Sequence, residues 1–103
     1  MSEIEKMYEN AGIEKIELEY PDNIEPFYPD FTAEKQIAIL QLLTQRCDLM
    51  ISHFTEWEFI HYDGQEPLQI TGKDFTETFV KLINAYWQSL TEEEKQQVKG
   101  ILE

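Results

Sequence analysis

The sequence predicts an α+β fold with about four helices packed on a small antiparallel sheet. Four segments carry apolar residues at helical spacing, and an N-terminal segment and the stretch near residues 55–71 alternate apolar and polar residues as strands do. In three places a Ser, Asp or Thr is followed three residues later by Glu, which is typical of a helix start. A chain of 103 residues has the length of one domain, so we expect a single compact domain over residues 1–103.

The N-terminal part is predicted to hold a helix, a strand and a loop. Ser2 can begin a short helix that Gly12 ends. Apolar residues then alternate with glutamates over residues 16–20, which predicts a strand with an acidic outer face. The strand stops at Pro21, and from there to Phe31 we expect an irregular loop held to the core by its aromatic side chains.

The middle of the chain begins with a predicted long helix. Thr32 can cap it, and its apolar residues extend to about residue 50. Because the helix is apolar over most of its circumference, we expect it at the centre of the core. Cys47 follows the same apolar pattern, which indicates a small buried residue.

A hairpin is predicted near residues 55–71. Alternating residues lead to Asp63-Gly64, a turn signal, and Pro67 indicates that the return strand lies at an edge. The aromatic residues of the first strand could stack on nucleic-acid bases, but glutamates flank them and no basic groove accompanies them. Packing in the core is therefore the better interpretation of Trp57, Phe59 and Tyr62.

The C-terminal part is predicted to hold two helices. Asp74 can cap the first, which carries one continuous apolar stripe, and Thr91 can cap the second. The sequence leaves two interpretations of Trp87 open, a core residue or an exposed contact for a partner or second subunit.

Charge is the strongest functional signal in the sequence. The 21 acidic residues outnumber the 8 basic ones, so the formal net charge is −13 at pH 7. This balance argues against direct binding of nucleic acid, which needs clustered Lys and Arg. It also argues against binding to an anionic membrane surface. The charge can serve solubility alone, or it can imitate nucleic acid at a basic protein site.

The densest acidic stretch precedes the long helix, and a smaller set surrounds the predicted hairpin. Between residues 13 and 30 there are six acidic residues and one basic residue, Lys15. We therefore predict that partner binding uses the acidic residues of these two regions, which are Glu14, Glu17, Glu19, Asp22, Glu25, Asp30, Glu56, Glu58, Asp63 and Glu66.

The sequence carries no motif typical of catalysis or phosphate binding. We therefore expect a protein that is not an enzyme and uses no cofactor. Zinc-type ligands occur close together, but their spacing lacks the close pairs of established zinc motifs, so no metal is expected. These candidate ligands are Cys47, Asp48, His53, His61 and Asp63.

The predicted location is inside the cell. The first residues show neither the basic nor the apolar region of a signal peptide. No apolar run approaches the roughly 20 residues that a membrane-spanning helix needs. We therefore expect a cytoplasmic protein that does not bind membranes.

Three short segments resemble small acidic proteins carried by phages and prophages of Gram-positive bacteria. They are Tyr8-Glu9-Asn10-Ala11-Gly12, Phe31-Thr32-Ala33-Glu34-Lys35-Gln36 and Leu90-Thr91-Glu92-Glu93-Glu94-Lys95. The resemblance implies a bacterial host cell as the setting. It also implies an inhibitor of host defence nucleases, of which anti-CRISPR proteins are one kind.

Two main hypotheses follow. The first is a non-enzymatic inhibitor that binds a basic nucleic-acid site of a host defence enzyme, with a CRISPR nuclease as the leading target. The alternative is a phage accessory or assembly protein that binds a partner through an apolar helix face that includes Trp87. A third hypothesis, a metal-dependent activity, would use His53 and His61. The target and the oligomeric state stay open.

Overall fold

The structure is a computed structural model that describes residues 2–19, 24–45, 48–62 and 66–103. Within these ranges the chain forms four α-helices, one short 3-10 helix and a three-stranded antiparallel sheet, which confirms the predicted α+β class. In chain order the elements are α1 (Glu3–Asn10), α2 (Ala33–Thr44), β1 (Asp48–His53), β2 (Trp57–Tyr62), β3 (Leu68–Gly72), α3 (Phe75–Tyr86), the 3-10 helix (Trp87–Ser89) and α4 (Glu92–Leu102).

All four α-helices begin at the residues that the sequence predicts. The side chains of Ser2, Thr32, Asp74 and Thr91 each accept a hydrogen bond from the backbone N–H three residues later. In α4 the carboxylate of Glu94 also accepts from the backbone N–H of Thr91 at 2.9 Å, which completes a capping box. Each cap satisfies an N–H that the helix itself leaves unpaired, which is typically worth about 1 kcal/mol.

Helix α1 ends in a Schellman motif at the predicted glycine. Gly12 has φ +75°, a backbone conformation that favours glycine. Its N–H donates to the carbonyl of Glu9, and the N–H of Ile13 donates to the carbonyl of Tyr8, both at 3.0 Å. These two bonds satisfy carbonyls at the helix end and turn the chain away from α1.

Helix α3 lies between the sheet and α1. The strand order is β1-β2-β3, and α3 packs on β2 and β3 while α1 packs on α3. Phe59 of the central strand is fully buried, with Ile51 and Ile70 opposite it on the two neighbouring strands. The rings of Phe59 and Phe79 stack at 5.7 Å between centroids, which joins sheet and helix in one core.

The end of β3 approaches the first turn of α3 closely. A Cβ at Gly72 would collide with the hydroxyl of Thr78. Thr78 is fully buried, and its hydroxyl donates to the backbone carbonyl of Asp74. A side chain at residue 72 would therefore have to displace a buried, hydrogen-bonded group.

The predicted N-terminal strand is not a strand of the sheet. Among the described residues its segment forms one isolated bridge, between Ile16 and Phe27, and Tyr20 lies outside the described ranges. Ile16 and Leu18 are 39% and 43% exposed. The alternating pattern is real, but Ile16 and Leu18 do not pack on the core, and among the described residues the pairing goes no further than the bridge.

The third strand of the sheet is β1, which corrects the predicted extent of the long helix. Helix α2 ends at Thr44, and residues 48–53 pair with β2 instead of continuing to about residue 50 as a helix. A short apolar run such as Leu49 to Ile51 suits a helix or a strand, and pairing with β2 decides for the strand. The helix is also less central than predicted, since Ile37 is 55% exposed. Cys47 lies outside the described ranges.

The structure contains both strands of the predicted hairpin, and it buries Trp87. Strands β2 and β3 lie within residues 55–72 and pair antiparallel, and β3 is an edge strand, as Pro67 indicates. The predicted turn at Asp63-Gly64 lies outside the described ranges. Trp87 is 6% exposed and belongs to the core, so it cannot lead a contact with a partner.

Candidate acidic interaction surface

Two acidic stretches lie side by side next to α1, and we call residues 13–19 and 24–31 together the acidic arm. A bridge joins them: the N–H of Ile16 donates to the carbonyl of Phe27 at 2.6 Å, and the N–H of Phe27 donates back at 3.1 Å. The bridge brings together five of the predicted partner-binding residues, and all five are exposed: Glu14, Glu17, Glu19, Glu25 and Asp30.

Aromatic contacts hold the acidic arm against α1. The ring of Tyr28 stacks on the ring of Tyr8, with 5.0 Å between centroids and 7° between planes. The ammonium of Lys15 lies 5.4 Å from the centroid of the Tyr28 ring, within the range of a cation–π interaction. Phe31 is partly buried against the core. The predicted anchoring of this loop by aromatic residues is therefore confirmed for Tyr28 and Phe31, whereas Phe27 is 42% exposed and does not pack on the core.

The remaining predicted acidic residues lie elsewhere or outside the described ranges. Glu56 and Glu66 are exposed beside the sheet, and Glu58 on β2 accepts a hydrogen bond from Gln69 at 2.8 Å. Because α3 lies between α1 and the sheet, these three residues form a group apart from the acidic arm. Asp22 and Asp63 lie outside the described ranges.

A cavity of about 530 Å³ opens between the acidic arm and α1. Three carboxylates, one lysine and four aromatic rings line it, and these are Glu5, Glu25, Asp30, Lys15, Tyr8, Phe27, Tyr28 and Phe31. The sequence alone does not reveal this cavity. The mixture of prolines, aromatic residues and acids between residues 25 and 31 was its one visible signal.

Tyr8 is the buried polar group of this cavity. Its side chain is fully buried, and its hydroxyl has no hydrogen-bond partner among the described residues. Burial raises the pKa of Tyr8 above 10.0, and the negative charge of Asp30 raises it further. The phenol is therefore neutral at physiological pH and can both donate and accept a hydrogen bond.

The two histidines pack on aromatic rings. His53 stacks on Trp57 with 4.4 Å between centroids, and the buried His61 lies 3.8 Å from the ring centroid of Tyr86. In the part of the chain that the structure describes, no group of three or more His, Cys, Asp or Glu side chains could hold a metal ion. The candidate ligands Cys47 and Asp63 lie outside that part.

The aromatic residues of β2 separate onto the two sides of the sheet. Trp57 packs edge-on against Phe75 of α3 at 4.9 Å, and Phe59 is fully buried on the same side. Tyr62 is 46% exposed and follows the opposite alternation. The predicted core packing is therefore correct for Trp57 and Phe59, and these two rings are not available to stack on bases.

An exposed apolar patch lies on and around the edge strand β1. Met50 is 62% exposed and lies opposite Ile60 in the register, and Phe54, directly after the strand, is 94% exposed. The sequence did not reveal this edge, because the apolar pattern predicted a helix up to about residue 50.

None of the helices in the described ranges combines the length and the hydrophobicity that crossing a bilayer needs. Comparison of the chain with protein-family models, with curated proteins and with solved structures finds no significant match.

Proposed function

We propose that this chain is a non-enzymatic, phage-type inhibitor that binds a basic nucleic-acid site of a host defence enzyme, with an RNA-guided CRISPR nuclease as the leading target. It would act in the cytoplasm of the bacterial host, without a cofactor. The observation that carries the proposal is the bridge between Ile16 and Phe27, which sets two acidic stretches side by side with five exposed carboxylates.

The charge density of the acidic arm is comparable to that of one nucleic-acid strand. At no more than about 3.4 Å per residue, residues 14–19 span at most about 20 Å. One strand of a duplex carries roughly six charges over that length. Residues 14–19 present three carboxylates over this length and the neighbouring stretch adds Glu25 and Asp30, and Lys15 offsets one of the five charges, which leaves a net charge of −4 for the described arm. A site built to attract phosphates would therefore attract the arm as well.

The first experiment is capture of partners from host lysate at two salt concentrations, with mass spectrometry of the bound proteins. Exposed charges interact over about 8 Å at physiological ionic strength and over about 3 Å at 1 M salt. The proposal predicts capture of a nucleic-acid enzyme at low salt and its release at high salt. Capture of no such enzyme would contradict it.

A charge-reversal variant tests whether the acidic arm makes the contact. Glu17→Lys with Glu19→Lys changes the net charge by +4 at exposed positions and should weaken capture by more than about tenfold, because like charges would face each other. The matched control adds the same charge elsewhere, by Gln41→Lys, Gln45→Lys, Gln96→Lys and Gln97→Lys, all exposed. Equal weakening by the control would show that net charge, and not the arm, is responsible.

The alternative is a phage accessory or assembly protein that binds its partner through an apolar surface. The burial of Trp87 removes the contact first expected for it, but the exposed Met50 and Phe54 at β1 offer another. Such binding would depend little on salt. It should be lost in Met50→Ser with Phe54→Ser and retained in the Glu17→Lys, Glu19→Lys variant.

A further inference from the structure

The two edges of the sheet differ in how they are protected from pairing with a further strand. An exposed edge presents unpaired N–H and C=O groups, and native proteins blunt it with proline, lysine or other charged side chains. At β3, Pro67 precedes the strand, and its exposed side chains, Gln69 and Thr71, are polar. At β1, Met50 is 62% exposed, and Asp48 carries the one carboxylate of the strand. Of the two edges, β1 is therefore the one suited to a further strand.

Every second residue of β1 directs its backbone groups away from β2. The N–H of Phe54 donates to the carbonyl of Glu56 at 3.3 Å, which continues the β1–β2 register as a hydrogen-bonded pair. Hydrogen-bonded and non-hydrogen-bonded pairs alternate along an antiparallel ladder, so the even-numbered residues of β1 bond to β2. The N–H and C=O groups of Leu49, Ile51 and His53 lie at the outer edge, where no strand of the described ranges pairs with them.

The residue pattern of β1 is its own mirror image about Met50. From Asp48 to Ser52 the order is polar, apolar, apolar, apolar, polar. Antiparallel pairing of two copies with Met50 opposite Met50 places Leu49 opposite Ile51, and the outward backbone groups of these two residues can then exchange both hydrogen bonds. The same register places Asp48 opposite Ser52, whose hydroxyl can donate to the carboxylate. Each residue of the strand therefore meets a compatible residue of the other copy.

The distribution of charge permits a second copy at this edge, although the net charge of the chain is −13. Residues 49–55 contain no Asp, Glu, Lys or Arg. In the register about Met50 the two Asp48 residues are four positions apart, which is about 14 Å along the strand. Glu58 on β2 lies two strand spacings, about 10 Å, from Asp48 of the other copy. Both separations exceed the roughly 8 Å over which exposed charges interact at physiological ionic strength.

We propose that two copies of this chain associate through β1, antiparallel about a twofold axis at Met50, and form one continuous six-stranded sheet. A twofold interface uses the same patch on both copies, and the mirror pattern of β1 meets that requirement. The pairing adds main-chain hydrogen bonds and removes Met50 from water. It is independent of the proposed function, because the acidic arm packs on α1, and α3 lies between α1 and the sheet.

Sedimentation equilibrium of the full chain from about 10 μM to 1 mM measures the association. We expect a monomer–dimer equilibrium that tightens at least about threefold as salt rises from 0.1 M to 1 M, because salt screens the repulsion between two acidic chains. Binding through the acidic arm has the opposite salt dependence, so failure of this inference and failure of the proposed function are distinguishable. A chain that stays monomeric over this range of concentration would overturn the inference.

Met50→Lys tests the centre of the interface. Two lysines would face each other across the axis, and like charges directly opposite are destabilising, so the dimer should weaken by more than about tenfold. Thr71→Lys adds the same charge at an exposed position of β3 and should leave the dimer unchanged. Equal weakening by the two variants would overturn the inference. A monomeric chain that loses a captured protein in Met50→Ser with Phe54→Ser would show that a strand of another protein covers β1, and would overturn it as well.

Disulfide cross-linking tests the register. In a chain that carries Cys47→Ser, Met50→Cys places two thiols in a non-hydrogen-bonded pair with about 4.5 Å between Cα atoms, a separation that a disulfide spans. Ser52→Cys, at an exposed position on the same side of the sheet, would place its two thiols about 14 Å apart and is the matched control. Oxidation should cross-link Met50→Cys at least about tenfold faster than Ser52→Cys. Equal rates would overturn the register about Met50.

Discussion

The acidic arm and the sheet with α3 differ in how far their apolar side chains are buried. Phe59, Phe79 and Leu82 are each 1% exposed or less, and the rings of α3 and β2 pack directly on one another. In the acidic arm Phe27 is 42% exposed, and a single bridge and the Tyr28 stack hold its two stretches. Burial thus stabilises one region, whereas the other keeps its charges in water. The fold and the proposed contact can therefore be disrupted separately.

The largest expected effect on stability comes from a substitution that opens a cavity in the core between the sheet and α3. Phe79→Ala should lower the free energy of unfolding by about 3–5 kcal/mol, measured by urea denaturation, because the ring is almost fully buried. If the variant does not fold, Phe79→Leu should show a smaller loss with a cooperative transition intact. Ile37→Ala, at a side chain that is 55% exposed, is the control and should change stability by about 0.5 kcal/mol or less. A loss below about 1 kcal/mol in Phe79→Ala would contradict the described core.

The second effect should be confined to the acidic arm. Tyr28→Ala removes the ring that stacks on Tyr8 and should cost about 1–2 kcal/mol. More informatively, the amides of Ile16 and Phe27 should lose protection from hydrogen exchange, while those of β2 stay protected. Tyr28→Phe keeps the ring and is the control. Equal loss of protection in the arm and in β2 would show that the two regions unfold together.

Features that depend on neighbouring residues in the chain were easier to predict than features that depend on contacts between distant segments. Each helix start could be predicted because a cap at Thr32 or Thr91 acts within one turn of the chain. The predicted strand at residues 16–20 could not be judged in the same way, because an alternating pattern does not show whether another segment pairs with it. Strand β1 depends on pairing such as Leu49 with His61, which no local pattern shows.

The candidate site also has one feature that could be predicted from the sequence and one that could not. The exposure of the acidic residues was predictable, since Asp and Glu are rarely buried without a partner. The cavity was not, because it depends on the contact between Tyr8 of α1 and Tyr28 of the acidic arm, which are far apart in the sequence.

The smallest expected effect on stability tests how closely the acidic arm covers Tyr8 of α1. Tyr8→Phe removes a buried hydroxyl that has no partner among the described residues, so near pH 7 its stability should equal or slightly exceed that of the wild type. Burial and Asp30 raise the pKa of the native phenol above the 10.0 of the unfolded chain. The native state therefore holds this proton to higher pH, and the stability linked to it, complete below pH 10, is lost as the pH rises through the native pKa.

Urea unfolding of the wild type and Tyr8→Phe from about pH 8 to pH 11 measures this linkage. The other titrating groups are common to both proteins, so the difference between them isolates Tyr8. Above about pH 10 the wild type should lose stability faster than Tyr8→Phe. Tyr62→Phe, which removes an exposed hydroxyl, is the matched control. Parallel curves for the wild type and Tyr8→Phe would mean that water reaches the hydroxyl in the folded chain, and that the acidic arm covers α1 less closely than the Tyr8–Tyr28 stack requires.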